Sequence, residues 1–246
     1  MNKYTVDYTN KISRQDALKL ANGYLQERIH NGSKINIIFE HGVHIFNVAK
    51  IAESIAAQTK GHLDADTAYC LGLLHDIGRI KDETITHVPH GVEGFNYLNK
   101  IGYPDIAPIC LTHNFIDKNI QAEDFPTYSP HIFAQTKEFL NNIEYNDYDR
   151  IIQVADLFSR GKEIMSIQQR LDKNKSFYHI PKLSYEDKAF QLRDYLDNKY
   201  NIDIEQTVAD LFNLHKHSNS SSVIFFLPKK IPLSALRRQK PFYLEK

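Results

Sequence analysis

The sequence has only two cysteines, no excess of either charge and no long apolar run, and each shortage removes a class of function. Cys70 and Cys110 cannot build a disulfide framework, and their apolar neighbours mark them as reduced, buried thiols. Lys and Arg total 30, as do Asp and Glu, so the summed field gives no reason for nucleic acid or a lipid surface to be the main partner. No stretch approaches the roughly 18 apolar residues that cross a bilayer. The opening Met1-Asn2-Lys3-Tyr4-Thr5-Val6-Asp7 also lacks an apolar targeting core, so the expectation is a cytoplasmic protein. There is no internal repeat, Gly-rich phosphate loop, Cys-x-x-Cys pair or Ser/His/Asp elbow.

What the chain does have is apolar residues at helical spacing. Its 246 residues, 42% hydrophobic and 24% charged, suffice for one large domain with an appendage. A first helix starts at Ser13, where Asp16 makes a capping-box-like entry; Ala17, Ala21, Tyr24, Leu25 and Ile29 form its stripe, and Asn31-Gly32 ends it. A second pattern runs from His44 with Ile45, Val48, Ile51, Ala52 and Ile55 on one face. A third, capped by Asp64 or Asp66, passes through Ala68, Leu71 and Leu74 into His75-Asp76, and Gly78 breaks it. His90 opens a fourth, with Phe95, Leu98 and Ile101 on its apolar side. A fifth begins at Tyr103-Pro104-Asp105 and closes on His113. Residues 115–128 read as an exposed excursion able to roof a cleft. Helices are expected at 130–141 and 148–165, then at 185–200 and from Ile204 to His217. The expected division is a main domain over 1–170, a helical extension over 171–217 packed on it, and a flexible or docking basic tail over 218–246.

The segments of the main domain each bring one candidate ligand to a helix end or buried side: His44, His75 with Asp76, His90, His113 and Asp156. His41 lies on the same side of any helix as His44 and competes with it. Asp156 is embedded among Ile151, Ile152, Val154, Ala155, Leu157 and Phe158, where a carboxylate must be paired, metal-bound or protonated, and Arg160 at i+4 is the candidate partner. Arg79 and Lys81 belong either to a solvated loop or to a cationic edge facing an anionic ligand. Glu93, at i+3 from His90, either orients it or serves as an acid or base, unless it is a plain surface residue. Helices packed as a bundle would bring the ligands together. Six His and carboxylate groups exceed the needs of one tetrahedral ion and suit two octahedral ions with Asp76 between them. Such ligands accept manganese, iron, cobalt, nickel, zinc or magnesium, so the expected cofactor is a divalent metal, as one or two ions.

The order His44, then His75-Asp76, then Asp156 resembles the HD-domain metal-dependent phosphohydrolase superfamily, and His75-Asp76-Ile77-Gly78 resembles its HDIG variant. The likeness extends over residues 14–165. His90 and His113 are similar to the extra histidines of the two-metal members, such as the cyclic-di-nucleotide phosphodiesterases and the symmetrical dinucleoside tetraphosphate hydrolases. Asn114 departs from the first of these, which carry a second histidine there. The resemblance implies an all-α HD-domain helical bundle, with the helices beyond residue 170 and a short extended tail added to it. It also implies hydrolysis of a phosphate ester or anhydride by a metal-bound hydroxide, with Arg79, Lys81 and Arg160 neutralising charge on the phosphoryl group. The implied partner is a small phosphorylated substrate, a nucleotide first, with no role for nucleic acid or membrane. Two further readings share the ligand set: a di-iron oxygenase of the same superfamily, and a catalytically silent nucleotide-binding module.

Overall fold

Several helix starts among the described residues are written by short polar caps. In a computed structural model, which describes residues 3–80, 88–122 and 128–217, helix α1 (Arg14–His30) begins where the Ser13 hydroxyl accepts from the Asp16 amide at 3.1 Å. Its buried side is Ala17, Ala21, Tyr24, Leu25 and Arg28; the expected Ile29 packs on the same core but only partly buried, and a guanidinium lies deeper beside it. Helix α2 (Ile35–Gln58) starts well before the expected His44 and puts His41 and His44 inside one continuous helix. The sequence hid that start because Ile35 and Ile37 are exposed and carry no periodic signal. Asp64 caps α3 (Ala65–Leu74), accepting from the Thr67 amide at 2.6 Å.

α2 and α3 form the spine of the fold, and their contact is backbone to backbone. A Cβ on Gly72 would lie 2.5 Å from the Ala49 Cα, so only glycine allows that approach. After α3 a 3-10 turn (Ile77–Ile80) leads towards α4 (His90–Lys100). Gly78 thus does not simply break a helix. A Cβ there would collide with the His90 carbonyl and the Gly94 backbone, so the glycine brings the turn hard against the first turn of α4. Ile101, expected on the apolar side of this helix, caps it and is 36% exposed. Helix α5 (Pro108–Thr112) starts later than expected because Tyr103 to Ala107 fold as turns, and Pro108 at the first helical position suits a helix start.

The segment expected to be an exposed excursion begins as packed structure. Phe115 and Ile120 are buried against Leu140 of α6 (Pro130–Asn142) in a small second cluster, while residues 123–127 lie outside the described part. Helix α7 (Asp147–Leu157) opens on an Asn146 capping box and ends earlier than expected. Gly161, at φ +56°, turns the chain into a hairpin of β3 (Ser159–Arg160) with β4 (Glu163–Ile164). Short strands β1 (Tyr4–Thr5) and β2 (Ile143–Glu144) pair in parallel near the N-terminus.

Three helices complete the described chain: α8 (Ile167–Tyr178), α9 (Glu186–Tyr200) and α10 (Ile204–His217). The expected boundary at residue 170 falls inside α8, and Ile167, Leu171, Leu192, Leu196 and Val208 join the same buried core as α1 to α5 and α7. The architecture is all-α with two small strand pairs, and no helix of the described residues is long and apolar enough to cross a membrane. The tail over 218–246 lies outside the described residues.

Two glycine replacements separate packing from propensity. Gly72→Ala forces the Ala49 contact and should lose about 1–3 kcal/mol of stability. Gly23→Ala, with open space around it in α1, should gain roughly 0.5–1 kcal/mol. Thermal unfolding of the two variants should therefore move in opposite directions.

Candidate metal centre

Five elements aim polar side chains at one buried point. His44 comes from the middle of α2, His75 caps the end of α3, Asp76 follows it, His90 is the first residue of α4, His113 caps α5, and Asp156 lies in the last turn of α7. The two oxygens of Asp76 face different pairs of rings. Oδ2 is 3.6 Å from His44 Nε2 and 3.9 Å from His75 Nε2. Oδ1 is 3.2 Å from His90 Nε2 and 3.5 Å from His113 Nε2. Asp156 closes the first pair, its Oδ1 lying 3.1 Å from His44 Nε2 and 3.9 Å from His75 Nε2.

The opposite edges of the rings are tethered. His75 Nδ1 donates to the Gly72 carbonyl at 2.7 Å, and His113 Nδ1 donates to the Ile109 carbonyl at 3.0 Å. A carbonyl only accepts, so both rings carry their proton on Nδ1 and present an Nε2 lone pair inward. His44 Nδ1 is held by the Ser159 hydroxyl at 3.1 Å. Lone pairs therefore face carboxylate oxygens across the centre, acceptor against acceptor. His75 Nε2 and Asp76 Oδ1 are buried and have no hydrogen-bond partner. Such atoms each cost about 1–3 kcal/mol unless a cation satisfies them. The donor set and its two orphaned atoms fit a divalent metal, held by His44, His75 and Asp76 or by Asp76, His90 and His113.

The electrostatics run the same way. Burial alone would raise the Asp76 carboxyl, but the Arg79 guanidinium and the surrounding rings outweigh it and hold it well below the usual range. Arg79 Nε donates to Asp76 Oδ2 at 2.7 Å. Asp156 is likewise held low despite its burial, by His44 and by Arg170, whose Nη2 is 3.7 Å from Oδ2. Burial pushes His75 down to about 3, so its ring stays neutral and able to bind a metal.

Of the residues singled out in the sequence, His44, His75, Asp76, His90, His113 and Asp156 converge. His41 does not join them; it sits one turn back on α2 and takes a short hydrogen bond from Arg28. Arg160 cannot serve Asp156 as an i+4 partner, because α7 stops at Leu157 and the hairpin carries Arg160 away to stand 5.6 Å over the Phe177 ring. Arg170 of α8 takes that place. Glu93 is half-buried in the first turn of α4 and belongs to neither donor group. Lys81 lies outside the described residues. Sequence reasoning missed Ser159 and Arg170. Ser159 is only three positions past Asp156 but serves a ring 115 residues earlier, and Arg170 reaches the site across a hairpin that left no periodic trace.

These features define a helical protein with a buried histidine and aspartate centre suited to divalent metal. The HD domain family model matches residues 42–161, the span that carries all six converging groups. Members of that superfamily are in general metal-dependent hydrolases. No curated protein and no solved structure matches the chain.

The buried neutral imidazoles set a pH dependence. In the fold His75 stays unprotonated down to about 3, whereas the unfolded chain takes up a proton at the ordinary 6.5. Between those values the unfolded state binds more protons, so this contribution is fully present above 6.5 and is lost as the pH falls. His41, also held down to about 3, adds the same sign; Asp76 and Asp156 add a loss only below their ordinary 3.8. Chelator-treated protein should show a falling urea midpoint from about pH 7 to about pH 4.5, and His75→Asn should flatten that slope by about half.

Proposed function

We propose that the protein is a metal-dependent phosphohydrolase that cleaves a phosphate ester or anhydride of a nucleotide or small phosphorylated metabolite. The observation that carries this reading is the Asp76 carboxylate, which offers one oxygen to His44 and His75 and the other to His90 and His113. That arrangement suits two divalent ions sharing one carboxylate, with Asp156 completing the His44 and His75 side. Ions bound there would polarise phosphoryl oxygens and lower the pKa of water towards neutrality.

The chain's own groups divide the remaining work. Arg79 is held by Asp76 and keeps a third of its side chain exposed, so its guanidinium can face an anionic substrate while anchoring the carboxylate. Arg170 balances Asp156 from the other side. Glu93, on the helix that His90 opens, is assigned the exchange of a proton with the leaving group, and Lys81 a second cationic contact. The His/Asp donor set and the HD domain match support this reading, since the first can hold a divalent metal and the second is in general a domain of metal-dependent hydrolases.

The test is elemental analysis of the purified protein joined to a screen of phosphorylated metabolites. Asp76→Ala should lower bound metal and reduce phosphate release by about 10²–10³-fold or more, with the helical circular dichroism unchanged. Phosphate release at the normal rate from the variant would sink the reading. Dioxygen uptake by the wild-type protein without phosphate release would point to the di-iron oxygenase, and nucleotides that raise the melting temperature without turnover would point to a binding module.

A further inference from the structure

Arg28 is the one residue on the buried side of α1 that apolar packing does not explain. It is 7% exposed, on the face formed by Ala17, Ala21, Tyr24 and Leu25. Both hydrogen bonds of its guanidinium run from Nη1, to the Tyr24 hydroxyl at 3.4 Å and, shorter, to His41 Nδ1. Its Nε is buried and has no partner. Arg14, Arg79 and Arg170 each meet a carboxylate, on Glu53, Asp76 and Asp156. Arg28 meets none among the described residues.

Its two neighbours offer no compensating charge. Burial raises the Tyr24 hydroxyl to about 12, and burial together with Arg28 and Arg79 holds His41 down to about 3, so both are neutral. A buried guanidinium facing only neutral groups is strongly unfavourable. Arg28 binds His41, which lies one turn before His44 on α2, so the guanidinium sits on the flank of the candidate metal centre. Helix α1 packs on the 3-10 turn that carries Arg79. Within the centre, Asp76 and Asp156 are already balanced by Arg79 and Arg170, so any divalent ion leaves the region positive, and Arg28 adds to that excess.

We infer that the unpaired edge of the Arg28 guanidinium, beside His41 on the flank of the metal centre, binds a second phosphate group of the substrate. The preferred ligand is then one with two linked phosphates, because a phosphoanhydride supplies the negative charge a monoester lacks and its oxygens match the planar guanidinium fork. The inference rests on the phosphohydrolase reading and specifies its substrate class.

The test measures binding and not turnover. Full-length protein loaded with manganese is titrated by calorimetry with inorganic phosphate and with methylenebisphosphonate, which cannot be hydrolysed. The wild type should bind the bisphosphonate about tenfold or more tighter than phosphate. Arg28→Met should abolish that preference and leave phosphate affinity unchanged, and Arg28→Lys should retain part of it. In the absence of anion, Arg28→Met should raise the melting temperature by about 2–4 °C, since an uncompensated buried charge is gone. A structural arginine would give the opposite sign. Equal affinity of the wild type for both probes, or a preference that survives both substitutions, overturns the second phosphate subsite and leaves the phosphohydrolase reading standing. A manganese-loaded wild type that binds neither probe overturns both. If Arg28→Met does not fold, Arg28→Lys decides: a reduced preference supports the subsite, and an undiminished one overturns it.

Discussion

A carboxylate almost excluded from water, with imidazole nitrogens on both of its oxygens and one guanidinium at its edge, is the constraint on which this molecule depends. Asp76 cannot be buried cheaply. Its neighbours His75 and His113 present lone pairs and not protons, because their Nδ1 atoms are already donating to backbone carbonyls. Among the described residues Arg79 is the cation that meets the carboxylate directly. The interior therefore suits completion by a divalent cation, which would add to its stability.

The scaffold that tolerates this is rigid where the rings attach. α2 and α3 touch through the Gly72 and Ala49 backbones, which fixes His44 and His75 relative to one another. Gly78 presses the 3-10 turn onto the start of α4 and so sets His90 opposite Asp76. His113 stands at the end of a very short helix that would not be stable alone, and side chains hold it in place. The Thr112 hydroxyl donates to Asp149 at 2.6 Å, Tyr8 donates to the same carboxylate at 2.8 Å, and Gln153 donates to the Thr112 carbonyl at 2.7 Å. This buried network ties α5 to α7 and to the N-terminal segment, and with it the His113 ring to the helix that carries Asp156.

The span that matches the HD domain, 42–161, holds all six converging groups, but a cation that meets one of them and a buried cation beside His41 come from outside it. Arg170 enters from α8, and Arg28 from α1. The elements flanking the centre thus do more than cover it: α8 balances the charge of Asp156, and α1 adds a buried cation beside His41.

Residue order alone determined the helical class, the caps of α1 and the start of α3, and the candidate ligands apart from the choice between His41 and His44. Those signals are local: caps act over three residues, and a polar group at the end of an apolar stripe is conspicuous wherever the stripe packs. The sequence could not determine what happens where periodicity is silent or misleading. Ile35 and Ile37 hid the start of α2, and the apolar residues after Phe158 mimicked a helix where Gly161 makes a hairpin. The choice of His44 over His41, the exchange of Arg160 for Arg170 and the isolation of Arg28 among neutral groups were decided only in the folded chain. Each turns on which side chain of a distant element occupies the adjoining space, and spacing along one helix carries no record of that.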